Sequence, residues 1–224
     1  MAKCRDDFTL AMGSWVDDGG FVVGQTLTLE NSDALRAPRK YSYLAATWGN
    51  MINRPRFKRA LTAAGNPMLA KVLEEQLGEL GWFPHLHLTW FFSSKIGIAE
   101  AHEFLEEISR IWCEAATSAS ELSASLGCQY IFEIDQTSAK PLGQYLFKHG
   151  YYDLAFEPQA SYLSQASLSP FEVLRSFLHS GDLELLRRWV EFEVATTSRV
   201  RVKFSKQLQD YVQQKKVLRA LADS

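Results

Sequence analysis

The sequence predicts an α/β (α+β) protein, with a mixed domain over residues 1–155 and a helical extension over 156–224 packed on the same core. Three observations predict it. FVVGQTLTLE (21–30) and PHLHLTWFF (84–92) are short, apolar and rich in β-branched or aromatic residues, as strands are. Residues 98–118 place Phe104, Leu105, Ile108, Ile111 and Trp112 at spacings of three and four, the stripe of an amphipathic helix. After a polar, Ser-rich stretch (157–169), the chain reads as helices to its end. With 46% of 224 residues hydrophobic, it can bury one sizeable core.

Taken in order, residues 5–18 form a short helix that DDGG (17–20) ends in a turn, before the strand at 21–30. A polar loop leads to a helix over about 41–64, which Pro55 should kink or break. Periodicity leaves 68–77 open between helix and strand. Leu80-Gly81 opens a turn into the strand at 84–92, and the helix over 98–118 follows. A strand at 128–134 precedes a helix at about 138–149 carrying Tyr145 and Lys148. Ser169-Pro170 starts a further helix, with serine as the cap and proline in the first turn. Another helix spans 183–195, and a basic segment (199–206) leads into the last one. The tryptophans Trp48, Trp112 and Trp189 read as core, while Trp90 fits either face of its strand.

Composition narrows the function classes. The formal net charge of −2 is a poor global signature for a nucleic-acid binder, so any DNA site must be a local basic patch. No apolar run approaches the roughly 18 residues of a membrane span, and the first residues lack the apolar stretch of a signal peptide. Cys4, Cys113 and Cys128 form no CxxC pair and read as reduced thiols of a cytoplasmic protein.

The candidate chemistry centres on His85-Leu86-His87. Residues two apart on a strand share a face, so both imidazoles can reach one metal ion while Leu86 enters the core. Both interrupt a run of Leu, Trp and Phe, where an unpartnered polar ring is costly. Glu74 is the candidate third ligand. Glu74 and Gln76 sit one hairpin away and share a face if 69–77 is a strand, whereas Glu74 and Glu75 lie on a solvated face beside Lys71 if that segment is a helix. Two imidazoles and a carboxylate suit an open-coordination divalent ion, Mn²⁺ or Mg²⁺. Tyr145 and Lys148, three apart on a helix, project together, and a phenol beside a cation can attack a phosphodiester that a metal polarises. Two basic runs are candidate phosphate contacts: Arg54, Arg56, Lys58 and Arg59, then Arg199, Arg201, Lys203 and Lys206.

TLTL (26–29), KVLEEQLGELGWFPHLHL (71–88) and PLGQYLFK (141–148) occur in the order of three blocks of plasmid rolling-circle replication initiators. SPFEVLRSFLHSGDLELLRRWVEFEVAT and RVRVKFSKQL continue the C-terminal pattern. The chain thus resembles the branch of the HUH endonuclease superfamily common on actinobacterial plasmids. The resemblance implies a central antiparallel sheet flanked by helices, with the histidines on a central strand and the tyrosine on a helix beside it. It further implies His85, His87 and Glu74 as metal ligands, Tyr145 as the nucleophile that becomes 5′-phosphotyrosyl, and Lys148 beside it. The implied partners are single-stranded or hairpin origin DNA and the host replication helicase or polymerase. Three departures stand out. The cysteine-pair region upstream of the first strand is absent. Phe83 replaces a common histidine and is expected to face away from the metal. Pro141 stands where a glutamate credited with the second cut often precedes the tyrosine. Glu133 and Asp135, two apart on a strand, are the nearest carboxylates for that general-base role.

Two other readings use the same residues differently. A catalytically silent DNA-binding relative would need neither the histidine pair nor the tyrosine. A two-histidine RNA phosphoesterase would use His87-Leu88-Thr89 as one HxT motif, but no second HxT or HxS follows any other histidine.

Overall fold

A computed structural model describes residues 2–134 and 167–222. The helix expected at 138–149, with Tyr145 and Lys148, lies outside the described residues, as do Asp135, Pro141 and the boundary expected near 155. The described elements are α1 (Ala2–Asp17), β1 (Phe21–Leu27), α2 (Ala37–Asn53), α3 (Pro55–Ala63), β2 (Met68–Gly78), β3 (Gly81–Phe92), α4 (Ile98–Ala119), β4 (Tyr130–Glu133), α5 (Pro170–Ser180), α6 (Leu183–Thr196), β5 (Val202–Phe204) and α7 (Lys206–Ala222). A 3₁₀ turn, Leu126–Cys128, takes the first residues of the strand expected at 128–134.

The strands form one antiparallel sheet in the order β4-β1-β3-β2-β5, with helices on both faces. This is the α+β architecture the sequence predicts, and β3 is its central strand. β3 earns that position by being apolar on both sides. Trp82, Leu86, Leu88, Trp90 and Phe92 join the main core beneath α2, α3, α4 and α6, while Phe91 turns to the other face, against Phe8 and Met12 of α1 and Leu208 and Val212 of α7. The pleat's period of two makes this division. Proline is poorly tolerated in a central strand, yet Pro84 fits. β1 ends at Leu27, opposite Leu86, so only β2 runs beside β3 at that point.

Local chemistry sets the element ends. Pro55 divides the helix expected at 41–64 into α2 and α3, since it occupies the first turn of α3, where its missing N–H costs nothing. The ambiguous segment 68–77 is a strand, because β3 offers it an eleven-residue ladder from Met68↔Phe91 to Gly78↔Gly81. Gly81 turns the hairpin at φ +80°, a conformation that favours glycine. At α5, Ser169 and Glu172 form a reciprocal capping box, and Gly181 closes the helix at φ +70°. Asp182 caps α6 by accepting from the Glu184 N–H at 2.9 Å.

Trp90 lies on the main-core face, fully buried, and donates to Gln25 Oε1 at 3.1 Å. Gln25 in turn donates to the Leu105 carbonyl and Ser109 Oγ of α4, so this buried polar pair is satisfied. Trp112 is buried as expected, while Trp48 and Trp189 are only partly covered at the core margin.

The described part of the C-terminal extension is not wholly helical. Residues 202–204 form the edge strand β5, pairing Ala70↔Phe204 and Val72↔Val202. Three residues carry too little pattern to read as a strand; the open edge of β2 supplies the pairing. Val173, Phe192 and Ala195 belong to the main core. Among the described residues no helix is long and apolar enough to cross a membrane.

Candidate metal centre

Antiparallel register assembles the site. β3 presents His85 and His87 on the face opposite the main core, and β2 places Glu74 directly across from His85. β1 places Thr26 directly across from His87. Glu74, His85 and His87 are respectively 3, 6 and 9% exposed. Their ligand atoms all lie within 4.8 Å of one another. His85 Nε2 is 3.3 Å from Glu74 Oε2, His87 Nε2 contacts the same oxygen, and the two Nε2 atoms are 3.2 Å apart.

The outer ring nitrogens are also engaged. His85 Nδ1 lies 3.2 Å from the Phe83 carbonyl, which can only accept, so the proton sits on Nδ1. In the neutral ring, Nε2 is then a bare lone pair aimed at the cluster. His87 Nδ1 lies 3.0 Å from Thr26 Oγ1. Burial opposes a charge on His85, but the Glu74 carboxylate outweighs it and holds the imidazole pKa above its ordinary value. A carboxylate that favours a proton between these rings also favours a metal cation in its place.

The geometry fits a metal. Three ligand atoms within 4.8 Å of one another are close enough for a single ion to reach all of them. Two nitrogens and a carboxylate oxygen from adjacent strands make a compact three-point set that leaves positions for water or substrate. Glu74, His85 and His87, singled out from sequence, are therefore brought together, and the group can hold a metal ion. Phe83 does not face away as expected. It shares the period-two parity of the histidines, and its ring centroid is 5.5 Å from that of His85.

The other expected site residues lie elsewhere. Arg54 pairs with Glu114 of α4 at 3.2 Å, and Arg56 with Glu107 and Glu114, fastening α3 to α4 beneath the main-core face. Lys58 and Arg59 are exposed. Arg199 lies over the Tyr41 ring and donates to the Ala195 carbonyl at 2.7 Å. Arg201 pairs with the buried Glu75, which alternation places on the face opposite Glu74. Lys203 is exposed directly across from Lys71, whose ammonium lies 4.7 Å above the Trp48 ring. The segment around Glu75 and Lys71 thus belongs to the face opposite the metal centre.

Glu133, considered for the second cut, is also on that opposite face. It pairs across from Val23 and reaches His102 of α4 at 3.5 Å, so it is not placed to activate water beside Glu74. Tyr145 and Lys148 lie outside the described residues. Sequence reasoning missed Thr26 as a partner of His87. The signal was there in TLTL (26–29), whose alternation sends Thr26 and Thr28 to one face and Leu27 and Leu29 to the core.

No family model, no curated protein and no solved structure matches this chain.

Proposed function

We propose that this chain is a metal-dependent single-strand DNA nickase and strand transferase acting as a rolling-circle replication initiator. The observation that carries the reading is the buried Glu74–His85–His87 group on the central and adjacent strands of a five-stranded antiparallel sheet. The order of the TLTL, FPHLHL and QYLFK blocks adds support, because it pairs this group with a tyrosine and a lysine three residues apart in the sequence.

In this reading Glu74, His85 and His87 hold Mn²⁺ or Mg²⁺. When bound, the ion supplies Lewis-acid polarisation of the scissile phosphate. The Tyr145 oxygen attacks phosphorus and gives up its proton. The bond from phosphorus to the 3′ oxygen breaks, and that oxygen leaves as a protonated 3′-hydroxyl. The product is a 5′-phosphotyrosyl strand with a free 3′ end for a polymerase, and attack by a 3′-hydroxyl reverses the step and joins strands. Lys148 steadies the charge on the phosphate. The substrate is single-stranded or hairpin-extruded origin DNA, because a duplex keeps its bases stacked and unavailable for recognition. Such a protein works in the cytoplasm with a host helicase and polymerase.

The test is incubation with a single-stranded oligonucleotide library and Mn²⁺, followed by denaturing electrophoresis. A protein–DNA band that survives denaturation is expected, and Tyr145→Phe, which removes only the hydroxyl, should abolish it while leaving DNA binding intact. Peptide mapping of the adduct to Tyr151 or Tyr152 would reassign the nucleophile, and absence of any adduct would refute the reading.

A further inference from the structure

A metal-ligating imidazole must present a lone pair to the ion, so its other nitrogen must carry the proton and find an acceptor. For His85 the acceptor is the Phe83 main-chain carbonyl, which no side-chain substitution removes. For His87 the atom at that position is a side-chain hydroxyl, Thr26 Oγ1, 3.0 Å from Nδ1 and buried with it. The register pair Thr26↔His87 fixes this contact, because directly opposed residues on neighbouring antiparallel strands keep their side chains within about 5 Å.

We propose that Thr26 is a positioning residue of the metal centre. Its hydroxyl accepts the His87 Nδ1 proton in the loaded site, locking the ring in the tautomer that turns Nε2 toward Glu74 and His85. The inference rests on the reading of Glu74, His85 and His87 as a metal centre. A hydroxyl suits the position better than a carbonyl for one physical reason: it can reverse its role. With no ion bound, His87 Nε2 can instead carry the proton and donate to Glu74 Oε2, which it contacts, while Thr26 donates to Nδ1. With a metal held by His87 Nε2, the ring proton would sit on Nδ1, where the Thr26 hydroxyl would accept it. The same residue thus serves the empty and the loaded site without moving its heavy atoms.

Thr28 provides the internal contrast. It lies two residues on, just past the end of β1, and its hydroxyl donates to the Cys128 carbonyl at 2.9 Å and its N–H to Gln129 Oε1, tying the end of β1 to the turn before β4. Of these two threonines, Thr26 is the one hydrogen-bonded to a candidate ligand.

The experiment needs neither DNA nor activity. The full chain is titrated calorimetrically with MnCl₂ as wild type, Thr26→Val, Thr26→Ser and His87→Ala. Valine keeps the branched shape and removes the hydroxyl, and serine keeps the hydroxyl and removes the methyl. Thr26→Val should weaken Mn²⁺ binding by about 10–100-fold. Thr26→Ser should bind close to wild type even where its melting temperature falls. In the protein loaded with diamagnetic Zn²⁺, long-range proton–nitrogen NMR should show His87 protonated at Nδ1, with slow exchange in the wild type and Thr26→Ser and fast exchange in Thr26→Val. Equal Mn²⁺ affinity in wild type and Thr26→Val would overturn the proposal and leave the metal centre standing. Equal weakening by valine and serine would assign the effect to packing and overturn it as well. If the wild type binds no more Mn²⁺ than His87→Ala, the metal centre itself falls.

Discussion

Replacing Arg201 with alanine separates two roles for the basic segment at 199–206, phosphate contact and internal ion pairing. The Glu75 side chain is 0% exposed and pairs with Arg201, itself 25% exposed. Removing one partner of a buried pair costs about 3–5 kcal/mol, because the other charge keeps its desolvation penalty and loses its compensation. The quarter of Arg201 that remains in water puts the expected loss near the lower end, about 3 kcal/mol. For a chain of this size about 1 kcal/mol lowers the melting temperature by roughly 2–4 °C, so Arg201→Ala should melt roughly 6–12 °C early. Arg56→Ala is the control. Its pairs with Glu107 and Glu114 are made by a side chain 40% exposed, and exposed pairs contribute only about 0–1 kcal/mol. The assay is thermal denaturation by circular dichroism, run beside the salt dependence of single-stranded DNA binding. Each phosphate contact adds about −0.7 to the slope of log affinity against log salt. A melting temperature unchanged in Arg201→Ala, with a slope flattened by one contact, would refute the ion-pair assignment and return Arg201 to the DNA surface. Adding Glu75→Gln to Arg201→Ala should recover part of the lost stability, because it removes the stranded charge.

Two further predictions concern the metal centre and the β2–β3 turn. Mn²⁺ at about 100 times its dissociation constant should stabilise the wild type by about 2.7 kcal/mol. The double variant His85→Ala, His87→Ala should gain nothing in the same melting experiment; an equal gain would place the ion elsewhere. Lys40, buried in α2, donates to Asn31 Oδ1 at 2.6 Å and to the Leu80 and Trp82 carbonyls at 2.8 and 3.0 Å, and burial pushes its pKa down to about 8. Lys40→Met strands those acceptors and should cost about 1–3 kcal/mol. Because the folded pKa lies below the unfolded value of 10.5, the unfolded chain binds more protons between pH 8 and 10.5. The stability of wild type over variant should therefore grow across that window in urea titrations, and a difference that shrinks as pH rises would contradict the burial.

The elements legible in the sequence are those whose signals are local. The cap at Ser169, the break at Pro55 and the stripe of α4 are each set by chemistry within one or two helical turns, and the structure reproduces them. β3 was legible because its run is apolar on both faces. The histidine pair was legible because a spacing of two on a strand fixes a shared face whatever surrounds it. That same rule places Phe83 with the histidines, and the contrary expectation misapplied it.

By itself, then, the sequence determined an α+β chain with two histidines on one face of an apolar strand, and a glutamate close enough in sequence to join them. Only the tertiary structure decided that Glu74 joins the histidines while Glu75 goes to Arg201 on the other face. Whether 68–77 was strand or helix depended on β3 lying beside it, and its register was set by the hairpin turn at Gly81. Thr26 reaches His87 across 61 residues of sequence, and β5 exists because β2 has an open edge to pair with. Alternation along a strand is intrinsic to the backbone, but which strand lies alongside, and in what register, depends on burying the apolar faces of all five strands together.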